Sequence, residues 1–170
     1  MGVETPDNPA AATAAERIKE RFPEDVVEVS VARGEDAVVI RREAVPRIFT
    51  FLKEDPDLGF DGLIDLTAVD YLGRRPRFDV VYHLLSFATK QRLRVKVRLE
   101  EGDAEVPSLT TLWGSANWLE REVWDMYGIR FTGHPNLKRL LMYEEFQGHP
   151  LRKDYPVQRR QPLIGPGSKS

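Results

Sequence analysis

Arg92-Leu93-Arg94-Val95-Lys96-Val97-Arg98-Leu99 alternates a cation with an aliphatic residue without a break. Successive side chains of a β-strand point to opposite faces, so Leu93, Val95, Val97 and Leu99 share one face and the four cations share the other. Burying the four aliphatic side chains is worth about 1.5–3 kcal/mol each before entropy. A slip of one residue would push four cations into the core, so the register is firmly set. This stretch predicts a sheet with one buried and one wet face.

Upstream, Phe78–Phe87 is apolar at both parities, which suits an interior strand covered on both faces. Leu63–Tyr71 reads as another strand, separated from it by a Gly73…Pro76 turn. Before that, Val45, Ile48, Phe49 and Leu52 fit one helix face, with Pro46 in the first turn and Asp55-Pro56 closing the helix. Val26–Val31 and Ala37–Arg41 read as short strands around the turn Arg33-Gly34-Glu35-Asp36. A helix over 13–22 is announced by the capping box Thr13/Glu16, carries Ala14, Ile18 and Phe22 on one side, and is stopped by Pro23. Downstream, a helix from about Ala116 to Tyr127 has capping-box spacing at Asn117/Glu120, a stripe of Leu119, Val123 and Met126/Tyr127, and Gly128 as its C′ residue. The order α-β-β-α-β-β-β-α predicts an α+β fold: a mostly antiparallel sheet with helices packed on one side, plus an irregular extended C-terminal tail. The expected divisions are a flexible N-terminus over 1–12, an α+β body over 13–128 and a tail over 129–170.

Composition narrows the chemistry. The 170 residues, 41% hydrophobic and 31% charged, suffice for one self-supporting core. There is no cysteine, hence no disulfide, no thiolate zinc site and no Cys-ligated iron–sulfur cluster on this chain. No apolar run approaches the roughly 20 residues of a membrane span. Met1–Pro9 has acids but no Lys or Arg, unlike a secretory or transit signal, so the chain is expected to stay where it is made. The net charge of −2 is uneven: residues 128–170 hold eight basic and three acidic residues, a net of +5, against −7 elsewhere. A basic tail on an acidic body implies a second surface to meet.

Past Gly128 the periodicity stops, yet Ile129, Phe131, Leu137, Leu140, Leu141, Met142, Tyr143, Phe146, Leu151, Tyr155, Leu163 and Ile164 follow. A disordered tail is short of such residues. Fully extended, 128–161 would reach about 110 Å at roughly 3.3 Å per residue, against a body whose radius of gyration is about 14 Å. The tail is therefore expected to cross its own domain and continue onto a partner.

Each motif has a sharp and a bland interpretation. Glu120, Glu122 and Asp125 could bind a metal or run acid–base chemistry, but 120 lies about 160° from 122 around the helix. An Arg121–Asp125 pair, with carboxylates accepting bonds from a basic segment, is the structural expectation. Gly133-His134-Pro135 and Gly148-His149-Pro150 could supply two metal ligands; the alternative is a pair of chain turns set by Gly and Pro. His83 sits mid-strand, and nothing enforces its convergence with the other two. Leu151-Arg152-Lys153-Asp154-Tyr155-Pro156 with Arg159-Arg160 could bind nucleic acid, but the overall pI near 6.0 favours a protein surface. Phosphate-loop and nucleophile-elbow motifs are absent from the sequence.

Three blocks in order carry a likeness: Glu120-Arg121-Glu122-Val123-Trp124-Asp125-Met126-Tyr127-Gly128-Ile129, then Phe131-x-Gly133-His134-Pro135-x-Leu137-x-Arg139, then Gly148-His149-Pro150-Leu151-Arg152-Lys153-Asp154-Tyr155-Pro156. With Leu66-Thr67-Ala68-Val69-Asp70-Tyr71, Val80–Ser86, Leu93–Leu99 and Ala116-Asn117-Trp118, the chain resembles the C-type (30 kDa-type) subunit of respiratory complex I over roughly residues 60–161. The resemblance implies a non-catalytic subunit in the peripheral arm of an NADH:quinone oxidoreductase, a proton-translocating, membrane-associated assembly of the respiratory chain. It implies a place beside the D-type (49 kDa-type) subunit, at the cytoplasmic face of the bacterial inner membrane, with membrane contact only through the complex. FMN, iron–sulfur clusters and quinone would belong to other subunits, with no cofactor, metal or catalytic residue here. The unfused form is expected, since some relatives are fused to the 49 kDa-type subunit. The same fold and motif occur in membrane-bound hydrogenase and formate-hydrogenlyase complexes, but the full set of blocks looks closer to the respiratory enzyme. On this resemblance, Glu120, Arg121, Glu122 and Asp125 are expected to hold the tail, and His134, His149, Arg152, Lys153 and Asp154 to aim it at the partner.

Overall fold

The computed structural model describes residues 13–32, 35–158 and 161. The expected flexible N-terminus, the turn residues Arg33 and Gly34, the pair Arg159-Arg160 and the last nine residues lie outside them. Helix α1 (Ala14–Arg21) starts at the capping box read from the sequence: the Thr13 hydroxyl accepts from the Glu16 amide, and Glu16 accepts from the Thr13 amide at 2.8 Å. It buries Ala14, Ala15 and Ile18. A one-turn 3-10 helix, Arg42–Ala44, leads into α2 (Val45–Glu54), whose buried residues are the expected Val45, Ile48, Phe49 and Leu52.

Five strands, β1 (Val26–Ala32), β2 (Glu35–Ile40), β3 (Gly62–Asp70), β4 (Phe78–Leu85) and β5 (Arg92–Leu99), form one sheet in the order β1-β2-β5-β4-β3. Three pairings are antiparallel, and only β2 and β5 run parallel. The cation–aliphatic strand is thus the middle of the sheet. Leu93, Val95, Val97 and Leu99 are buried, Arg94, Lys96 and Arg98 half-exposed and Arg92 exposed. Phe78–Tyr82 of β4 is buried at both parities, as an interior strand requires. The strand stops at Leu85, earlier than Phe87, because a turn with Ser86 N–H bonded to the Gln91 carbonyl leads back into β5. One core joins Ile18 of α1, Ile48, Phe49 and Leu52 of α2, the inward rows of β2–β5 and Val123 of the last helix. Phe49 packs against Tyr82 and Trp113 with ring centroids 4.8 and 6.0 Å apart. The α+β class with a mostly antiparallel sheet therefore stands.

Helix α3 (Ala116–Tyr127) has the expected bounds but not the expected cap. Ser115 is the N-cap, without a side-chain bond to the helix, and Glu120 turns inward rather than back to Asn117. Regular structure also outlasts α3: β6 (Glu105–Pro107) pairs in parallel with β7 (Arg130–Thr132). Ile129 and Phe131 sit in the core, so the irregular segment starts beyond Thr132.

Candidate functional site

The carboxyl end of α3 organises everything that follows it. Asp125 lies on the buried side of the helix, its side chain wholly inaccessible. One oxygen accepts the amides of Leu140, Leu141 and Met142 at 3.0, 2.8 and 2.9 Å. The other accepts an Arg139 guanidinium N–H at 2.6 Å. Burial pushes this carboxyl up, but the Met142 amide, Arg139 and the Leu141 and Leu140 amides outweigh it and hold the group below the usual carboxylate range. Arg139 lies 5.7 and 5.6 Å from the Trp124 and Phe146 ring centroids, and donates onward to the carbonyls of Phe146 (2.7 Å) and Gly148 (3.1 Å).

A helix end leaves carbonyls without partners, and the second Gly-His-Pro block supplies them. His149 Nδ1–H donates to the Asp125 carbonyl (3.0 Å), the Leu151 amide to that of Met126 (3.1 Å), and Arg152 Nε–H to that of Tyr127. Burial, more than its neighbours, holds His149 below the ordinary histidine range, so it sits neutral as this donor. Gly128 ends the helix at φ +76°. A Cβ there would lie 2.6 Å from the His149 ring and 3.0 Å from Arg152 Nη2, so closeness as well as conformation demands glycine.

Beyond Arg152 the segment reaches the sheet. The Lys153 amide donates to Asp70 at 2.8 Å, and Asp154 accepts two bonds from Arg77 at 2.7 and 3.1 Å. Arg77 also holds both Asp70 oxygens at 2.8 Å and reaches Glu101. With side chains only 5% and 1% exposed, Arg77 and Asp70 form a buried ion pair at the β3–β4 end. The Arg77 guanidinium, helped by the Lys153 amide, keeps the Asp70 carboxyl below its ordinary value, and Asp154 is lowered by the same guanidinium.

The predicted residues thus separate. Asp125, His149, Arg152, the Lys153 backbone and Asp154 come together to fasten the segment. Arg121 joins them differently from the expected pair: it donates to the Lys138 and Arg139 carbonyls at 3.1 and 2.9 Å, while Asp125 takes Arg139 instead. At helix spacing, Asp125 had appeared within reach of Arg121, but its inward rotation favours the cation arriving from the other side. His134 accepts the Asn136 amide on Nδ1 (3.0 Å), so Nε2 carries the proton and donates to the Asn117 carbonyl at 3.1 Å. Glu122 is exposed and hydrogen-bonds nothing among the described residues.

Glu120 does not hold the segment. It is fully buried and accepts Ser108 Oγ–H at 2.7 Å and the Leu109 amide at 2.6 Å, bracing the loop before α3. Burial lifts its carboxyl to about 7 despite those two donors. Sequence reasoning missed Asp70, Arg77 and Ser108 as anchors. Asp70 did leave a signal: it follows Leu66 and Ala68 at the inward parity of β3, where a lone carboxylate needs a cation. Among the described residues, no group of three or more His, Asp or Glu is placed to hold a metal.

Although fastened, the segment stays at the surface. No described residue from 132 to 161 is fully buried, and Leu141, Tyr143, Leu151 and Val157 are exposed, the last almost completely. Trp118, on the outer face of α3, is exposed under Arg121.

A family model described as the respiratory-chain NADH dehydrogenase 30 Kd subunit matches residues 38–161. The C-type subunit of the NADH-quinone oxidoreductase of Roseiflexus sp. (strain RS-1) is 49% identical over 146 residues, 86% of this chain and 84% of that one. Its counterpart in Citrifermentans bemidjiense is 48% identical over 154 residues, 89% and 94% of the two chains. The solved trypsin-resistant fragment (1-134) of Nqo5 superposes with a TM-score of 0.64 at 37% identity, covering 74% of this chain and all of that one. A chain of an archaeal membrane-bound sulfane sulfur reductase shares the fold at a TM-score of 0.69 and 23% identity, covering 84% of this chain and 83% of that one.

Proposed function

Because the chain belongs to the 30 kDa-subunit family of respiratory NADH dehydrogenases, and so to a multi-subunit NADH:quinone oxidoreductase, complex I, we propose that it acts there as a scaffold. It carries no step of catalysis and docks on the 49 kDa-type subunit through the outer face of α3 and the segment after Thr132. FMN, iron–sulfur clusters and quinone sit on other subunits. The complex holds the chain at the cytoplasmic face of the bacterial inner membrane; no helix among the described residues is long and apolar enough to cross a membrane.

One observation carries this reading: the polar side chains that fasten the segment after Thr132 are engaged within the chain, whereas large apolar side chains of that segment face outward. Asp125, His149, Arg152 and Asp154 fix the segment's path, and that path displays Leu141, Tyr143, Leu151 and Val157. Such residues cost stability to expose and gain it when covered. An extended, surface-lying segment of this kind suits the large interfaces of permanent assemblies. The Leu141→Glu/Val157→Glu chain should fold normally, since both side chains already meet water. Native gels of solubilised membranes should then show at least a fivefold loss of assembled complex, with NADH:quinone turnover per remaining complex unchanged. Full assembly with lost turnover would overturn the scaffold reading.

A further inference from the structure

We infer that the segment after Thr132 is a two-stage strap. Its near part, up to Arg152, is committed to α3, whereas its far part, residues 153–158, is an electrostatic latch on Arg77 that opens independently. The inference concerns the chain by itself and does not use the docking role proposed above.

The two fastenings differ in what opening would strand. At the near one, Asp125 is wholly inaccessible and holds Arg139 and the amides of Leu140, Leu141 and Met142. Lifting that stretch would leave a buried carboxylate without its cation and its amide donors, the costly way to break a buried pair. His149, the Leu151 amide and Arg152 also cap the last carbonyls of α3, which the helix itself leaves without partners.

Past Arg152 the arrangement changes. Asp154 accepts from Arg77 at 2.7 and 3.1 Å, yet its side chain is 47% exposed. Arg77 does not depend on it. Its guanidinium lies bidentate on Asp70 with both bonds 2.8 Å long, and the two nitrogens that Asp154 faces also donate elsewhere, Nη2 to Asp70 and Nη1 to Glu101. When Asp154 departs it regains water, and Arg77 keeps its buried counter-ion. Asp70 then loses the Lys153 amide but retains both guanidinium bonds. No buried charge is stranded. From Lys153 to Gln158 every residue but Tyr155 is exposed, so leaving the body uncovers little apolar surface. Tyr155 stacks on Phe146 with ring centroids 6.0 Å apart, and Gln161 bonds to Gln147 and Tyr155. Those contacts lie within the strap at the molecular surface, where water replaces a lost hydrogen bond.

Exposure also lets salt separate the two fastenings. Raising NaCl from about 50 to about 500 mM shortens the screening length from about 14 to about 4 Å, and weakens exposed pairs far more than buried ones. Arg77–Asp154 is the exposed pair, whereas Arg77–Asp70 and Arg139–Asp125 are buried. A hinge after Arg152 thus gives the strap an end that leaves the body while the near part keeps its place.

The sequence has no cysteine, so spin labels can be placed on the full chain at chosen pairs. Lys19→Cys/Val157→Cys reports the far part and Lys19→Cys/Leu141→Cys the near part, all three positions being exposed. Pulsed dipolar spectroscopy at the lower salt should give one narrow distance distribution for each pair. At the higher salt the Val157 distribution should at least double in width while the Leu141 distribution stays as it was. Asp154→Ala should broaden the Val157 pair equally at the lower salt, with no further response to salt. An unmoved Leu141 pair in that variant shows that the chain is folded. Broadening of both pairs together, or a Val157 distribution indifferent to salt and to Asp154→Ala, would overturn the latch. Neither result bears on the Leu141→Glu/Val157→Glu experiment, which is read from the assembled complex.

Discussion

Gly128 concentrates three demands at one position. It ends α3 in the left-handed region, it follows the last carbonyls of the helix, and it lies against the ring that caps them. A non-glycine residue in that conformation costs about 1–2 kcal/mol from backbone sterics alone. An added methyl would also meet His149 at 2.6 Å, and that ring cannot retreat without giving up its bond to the Asp125 carbonyl. Gly128→Ala should therefore destabilise the chain by about 2–4 kcal/mol in denaturant titration. A loss under 1 kcal/mol would mean that His149 moves freely. The C′ role of Gly128 was legible, because the end of an apolar stripe followed by Gly is a local signal. The closeness of His149, twenty-one residues further on, was not, because only the finished path of the segment creates it.

At the scale of elements, legibility follows the range of the forces involved. Strand β5, the Thr13/Glu16 box and the face of α2 announced themselves because each is set by residues within a turn or a pleat of one another. Strands β6 and β7 did not: three residues each are too few for a period, and their pairing joins positions 25 apart. The cap of α3 was misread for a related reason. Asn117 and Glu120 have the right spacing for a capping box, but Ser108 and Leu109 offer Glu120 better-placed donors from the preceding loop. The segment after Thr132 is the extreme case, an element without its own periodicity, held by side chains of α3 and the sheet. Its principal pin is Asp125, which gathers three amides and Arg139. Asp125→Asn removes the charge from a buried, fully hydrogen-bonded site and leaves Arg139 uncompensated, a cost of about 3–5 kcal/mol. Limited proteolysis should then cut within residues 133–158 at least tenfold faster while leaving 13–132 intact. Equal cutting of both regions would show that the segment and the body unfold as one unit.

For the whole molecule, three carboxyls held low and one held high work in opposite directions, and their balance sets the response to pH. Asp70, Asp125 and Asp154 have carboxyls held low by Arg77, by backbone amides and by Arg139. A depressed carboxylate adds stability above its unfolded value, near 4, and that contribution vanishes as pH falls below it. Glu120 is lifted by burial to about 7, so its contribution is complete below its unfolded value near 4.5 and is lost as pH rises through 7. That loss amounts to up to about 3 kcal/mol. His149, lowered by burial, opposes Glu120 modestly, losing its contribution as pH falls below about 6.5. The melting temperature should therefore peak near pH 5, fall steeply towards pH 3 as the clamp protonates, and decline more gently towards pH 8. Glu120→Gln keeps one acceptor oxygen for the Leu109 amide, turns an amide N–H towards Ser108 Oγ, and cannot ionise. In that variant the gentle decline should disappear, and His149 should turn it into a slight rise between pH 5 and 8, while the acid limb stays in place. Thermal denaturation at half-unit pH steps distinguishes the two chains. A Glu120→Gln profile still declining above pH 5 would assign the neutral limb to another group and leave Glu120 ionised at no cost in the folded chain.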